Sequence, residues 1–99
     1  MAKVLFINAK EQKVEVREVS TLEEQQALVE GYIEPVYYVK NLKRSLLCVN
    51  EEGLYKGFDY GFQMDGHQFV GNGFIGTLAK SDTKVAPADL VGRLAWFHK

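Results

Sequence analysis

The chain has 99 residues, with 12 lysines and arginines against 13 aspartates and glutamates and a formal net charge of −1. That length buries one core without disulfides or metals, and the slightly acidic balance argues against a partner held mainly through its phosphates, which needs a basic face. The single cysteine, Cys48, excludes an intramolecular disulfide; its apolar setting in LLCVN reads as a small buried hydrophobe in a reducing compartment.

In chain order, KVLFIN is a short apolar run, too short for the core of a signal peptide, and KVEVREV after it alternates strictly. Val14 and Val16 would face one side, with Lys13, Glu15 and Arg17 on the other, so the pair predicts an antiparallel hairpin. STLEEQQALVEG predicts a helix over about residues 21–30. Ser20 with Glu23, or Thr21 with Glu24, satisfies the capping box, Glu23 and Glu24 suit the helix dipole, and Gly31 is the expected left-handed terminator. About ten helical residues are marginal alone, so the helix must dock on a sheet.

YIEPVYYVK is rich in β-branched and aromatic residues but contains Pro35, which predicts an edge strand or a strand bent there, and SLLCVN predicts a central one. NEEG, Asn50 to Gly53, has the composition of a short hairpin turn with a left-handed glycine. GFDYGFQMDGHQF is expected to be an irregular loop with short extended pieces, FVGNGFIGTLA a strand broken by glycine, and KSDTK a turn. PADLVGRLAWFHK predicts a C-terminal helix over about 87–96, with Leu90, Val91 and Leu94 on one face and Gly92 as its weak point. No run approaches membrane-spanning length.

Chemistry is sparse. Glu51 and Glu52 are explained by turn formation, and adjacent turn residues diverge. GNGFIG, Gly71 to Gly76, matches a dinucleotide fingerprint formally, but its flanks are strand-like and no βαβ unit fits. His67 and His98 lack ligand-like neighbours at zinc spacing, and a Cys48–His67 pair would need a cysteine outside an apolar strand. No metal and no cofactor are expected. The aromatics Tyr55, Phe58, Tyr60 and Phe62 are the most concentrated feature, either a partner-binding patch or the cover of one end of the core.

These residues resemble the domain of unknown function 3846 family, small proteins of bacteria and their phages. LEEQQALVEGYIE running into a strand, then LLCVNEEGLYKG, then FVGNGFIG carry the likeness, in the same order over most of the chain. Members continue past the turn with a Gly-Leu-Pro-x-Asn-like stretch; GFDYGF, Gly57 to Phe62, has neither the proline nor the asparagine. The resemblance implies a cytoplasmic setting in a bacterium or phage-infected bacterium and supplies no catalytic residue. It raises Tyr32, Glu34, Asn50, Glu51 and Gly53 above their local reading.

The expectation is a single α+β domain over residues 1–99, a small mainly antiparallel sheet carrying one helix, with a second helix near the C-terminus. Its expected function is that of a non-enzymatic binding protein, a phage or mobile-element accessory factor acting by protein–protein contact. The binding surface would draw on Tyr32, Glu34, Asn50, Glu51, Tyr55, Phe58 and Tyr60. The alternative is a small-molecule binder or enzyme with a polar site around Glu34, Glu51, Glu52 and Asp59. Nucleic acid ranks last on charge. The Pro35 edge offers a route to a homodimer.

Overall fold

The computed structural model describes residues 2–77 and 81–98. Among these residues eight strands form two antiparallel sheets, and one helix covers the outer face of the larger sheet, an α+β architecture in three layers. The strands are β1 (Ala2–Asn8), β2 (Lys13–Val19), β3 (Ile33–Val36), β4 (Leu46–Asn50), β5 (Tyr60–Met64), β6 (His67–Val70), β7 (Gly73–Gly76) and β8 (Leu94–His98); the helix is α1 (Leu22–Val29). The larger sheet runs β2-β1-β7-β4-β3 and the smaller β6-β5-β8. Among the described residues no helix is long and apolar enough to cross a membrane.

The strand faces follow from period two. Val4 on β1, Cys48 on β4 and Phe74 on β7 face the helix and pack with Val19 and Val29. Leu5, Ile7, Leu47, Val49 and Ile75 face the other way, onto Phe62, Met64 and Phe69 of the smaller sheet. Burial on both faces is why KVLFIN reads as an unbroken apolar run rather than an alternating one. Of the expected hairpin face on β2, Val14 packs on the inter-sheet core and Val16 stays 56% exposed, because three strands cannot cover five.

The capping box forms on Thr21. Glu24 N–H donates to Thr21 Oγ1 at 3.1 Å, and Glu24 Oε1 accepts from the Ser20 and Thr21 amides at 2.8 and 3.0 Å. These amide bonds hold the Glu24 carboxyl below its usual range. The helix ends one residue earlier than expected, with Glu30 and not Gly31 in the left-handed region at φ 60°. Gly31 is used for close approach instead, as described below.

β3 is an edge strand, the first of the two alternatives that Pro35 left open. The Glu51 amide donates to the Tyr32 carbonyl at 2.9 Å, which makes that opposed pair a hydrogen-bonded one. Alternation along the ladder then places Pro35, opposite Cys48, at a position whose nitrogen faces the free edge. No ladder bond is lost, and the free edge is short of one donor.

Three sequence expectations are corrected. The segment read as an irregular loop contains the β5–β6 hairpin, closed by Asp65 and Gly66 at φ 52° and 86°, the two left-handed positions of a type I′ turn. The expected C-terminal helix is a 3-10 turn over Pro87–Leu90 followed by β8, which pairs along β5. Leu94 and Trp96 pack on the core with strand spacing, and Val91, assigned to the helical stripe, is 81% exposed. NEEG is not a hairpin turn either: it leads from β4 into a 3-10 turn, Gly53–Tyr55, that crosses to β5 in the other sheet. Gly53 is not left-handed; a Cβ there would meet the Val70 carbonyl oxygen at 2.7 Å. GNGFIG ends in β7, the central strand of the larger sheet, and opens no helix among the described residues. Leu78 and Ala79 of the expected strand, and Lys80 of the expected turn, lie outside the described residues.

Candidate functional site

Asn50 is buried and structural. Its Nδ2 donates to the carbonyls of Val29 and Glu30 at 2.8 and 3.2 Å, and its Oδ1 accepts from the Glu52 amide at 2.7 Å. One side chain therefore caps two orphan carbonyls at the end of α1 and shapes the turn after β4. That accounts for the Asn-Glu-Glu-Gly composition more fully than turn chemistry alone.

The residue after it points the other way. Asn50 faces the helix, so Glu51 falls on the face of the larger sheet turned toward the smaller one, as does Glu34 on β3, whose neighbour Val36 lies in the inter-sheet core. Glu34 is opposite Val49, two residues from Glu51, which makes the two carboxylates diagonal neighbours across β3 and β4. Both line a crevice of about 240 Å³ between edge strands β3 and β6. Tyr38 and Phe69 wall one side, their rings stacked with centroids 6.4 Å apart, and His67 sits edge-on behind Tyr38 at 4.8 Å. Leu54 and Tyr55, from the 3-10 turn, supply the other wall and are 78% and 87% exposed. Among the described residues Glu34 and Glu51 are the only carboxylates in the lining, which includes no lysine, arginine or histidine. Among the described residues neither carboxylate belongs to an ion pair.

The other expected site residues divide cleanly. Tyr32 is exposed just before β3, and Glu52 and Asp59 are exposed but do not line the crevice, so the four carboxylates do not gather. Phe58 is half-buried against the core, and Tyr60 and Phe62 are buried within it. Of the aromatic run, Tyr55 alone presents a ring to solvent; the rest covers one end of the core. Tyr60 donates its hydroxyl to Glu30 Oε2 at 2.8 Å, and burial with that carboxylate pushes its pKa up to about 12.

Tyr38, Leu54, Gln68 and Phe69 are crevice residues that the sequence reading passed over. The Asp-Gly dipeptide between Met64 and His67 was the available signal, because it sets the hairpin that brings Gln68 and Phe69 to the edge.

Among the described residues the other candidate groups are already satisfied or lie apart. Cys48 is buried against the helix-side cluster, its thiol pushed up to about 11 by burial, and His67 lies on the other sheet, so no nucleophile pair forms. Among the described residues no group of His, Cys, Asp and Glu could hold a metal ion. A second hollow, about 440 Å³ between α1 and β1–β2, contains Arg17, but that guanidinium binds Glu15 at 3.1 Å and lies 5.0 Å over the Phe6 ring.

A small three-layer α+β domain with an acidic, aromatic-walled crevice between an edge strand of each sheet is what the geometry defines. The family model described as "Domain of unknown function (DUF3846)" matches residues 1–94, and the chain belongs to that family. No curated protein and no solved structure matches it significantly.

Proposed function

We propose that the protein is a non-enzymatic binding protein that docks a protein partner at the β3–β6 crevice. The observation that carries this is the distribution of exposed large apolar side chains. Of the eight among the described residues, Tyr32, Tyr37, Tyr38, Leu54 and Tyr55 flank β3 or line the crevice. Scattered singly such residues need no explanation; gathered around one concave edge, tyrosines in particular favour a contact surface. Pro35 withholds a donor from the free edge, so engagement through side chains in the crevice is favoured over strand addition, by a partner or by a second copy of the chain. The family resemblance supports a phage or mobile-element accessory role in a bacterial cytoplasm.

The alternative, a small-molecule binder or enzyme, uses the same place with less support. Its carboxylate set is reduced to Glu34 and Glu51, and about 240 Å³ falls below the roughly 300–1,000 Å³ of small-molecule sites. Affinity purification from the native host tests the docking reading, with a Leu54→Ala/Tyr55→Ala variant as the matched bait. Both side chains are exposed, so the variant should fold. Partners retained by the wild type and lost by the variant support the reading; identical recovery by both baits would remove it.

A further inference from the structure

We infer that the crevice receives a basic side chain, lysine or arginine, projected from the protein partner. This rests on the docking reading above and names the chemistry of what docks. Three features of the crevice converge on it.

The first is electrostatic. Glu34 and Glu51 are held on diagonal positions of one sheet face, and neither has a cationic partner among the described residues. Like charges on neighbouring strands repel. A cation entering between them relieves that repulsion and gains two charge-assisted hydrogen-bond acceptors.

The second is the nature of the walls. Tyr38 and Tyr55 both line the crevice, and a cation that comes within about 6 Å of a tyrosine ring face is attracted by about 0.5–2 kcal/mol, more as water is excluded. An apolar side chain would use the same walls but leave both carboxylates unpaired and partly desolvated. The third is size: the space suits one long side chain better than a whole ligand. Among the described residues its occupant also has no rival from within, because no lysine, arginine or histidine of theirs lines the crevice.

The test is a titration of the ¹⁵N-labelled full chain with acetyl-arginine methylamide, and in parallel with its uncharged isostere acetyl-citrulline methylamide. The expected result is a set of amide shifts confined to Glu34, Glu51–Tyr55 and Gln68–Val70, with the arginine probe binding about tenfold tighter or more. A Glu34→Gln/Glu51→Gln variant should erase that difference; both side chains are exposed, and its undisturbed spectrum would show the fold intact. Equal binding of the two probes in the crevice overturns the basic-side-chain inference and leaves the docking reading standing. Arginine-induced shifts elsewhere, or none, also overturn it. Failure of the docking reading shows separately, as host partners captured equally by wild type and Leu54→Ala/Tyr55→Ala.

Discussion

Gly31 lies so close to Asn50 that a Cβ on it would stand 2.7 Å from the Asn50 amide nitrogen. The helix end and the β4 turn are thus locked by an approach that only glycine permits. Asn50→Ala removes three hydrogen bonds, two of them to carbonyls at the end of α1. The expected loss is about 2–3 kcal/mol, read as a fall in Tm of roughly 10–15 °C. Gly31→Ala should also destabilise, by displacing the same amide. Urea denaturation of both variants checks this, and a loss below about 0.5 kcal/mol for Asn50→Ala would show that the clamp is dispensable.

Arg93 ties the β5–β6 turn to the segment after β3. Its Nε and Nη2 donate to the two Asp65 carboxylate oxygens at 2.9 and 2.7 Å, and Nη1 and Nη2 reach the carbonyls of Asn41 and Lys40 at 2.9 and 2.6 Å. Arg93→Ala should cost about 1–2 kcal/mol, a range discounted for partial exposure. The Arg93 hydrogen bond holds the Asp65 carboxyl below its usual range. A depressed carboxylate contributes stability above the ordinary aspartate pKa, about 3.9, and loses it as pH falls through the lowered folded value. The gap between wild type and Arg93→Ala should therefore narrow with acidification below about pH 4, and a gap independent of pH would refute the assignment.

Tyr60 should ionise late, with its pKa pushed up to about 12, because its hydroxyl is buried and donates to Glu30. A folded value raised above the unfolded one, about 10, means that its contribution is intact below pH 10 and lost as pH climbs toward 12. Absorbance titration of the phenolates should show one late step that vanishes in Tyr60→Phe. A late step surviving in that variant would assign it to another tyrosine.

Cys48 should be inert in the native protein, since burial pushes its thiol up to about 11. Its reaction with a disulfide reagent at pH 8 should proceed only as fast as the domain opens, and at full speed in denaturant. Rapid native labelling would contradict its position under α1.

Features carried by neighbours in sequence were legible. The alternation of KVEVREV, the Thr21–Glu24 capping box and the edge character of Pro35 all rest on period or local bonding, which hold wherever the segment ends up. The Asp65-Gly66 hairpin was equally local, but the surrounding glycines and aromatics resembled a loop, since their burial depends on a second sheet. Leu90, Val91 and Leu94 have helical spacing by coincidence; pairing with β5 outweighed it, since a strand there satisfies a ladder that a helix would leave open.

The crevice lies at the far end of that scale. Glu34 and Glu51 are 17 positions apart in the sequence (51 less 34), and Tyr38, Tyr55 and Phe69 come from three different segments. Strand periods and turn residues determined which faces these side chains occupy. Only the packing of the two sheets decided that β3 and β6 contribute to one crevice, because that packing depends on the summed burial of the whole core and not on any short run of residues.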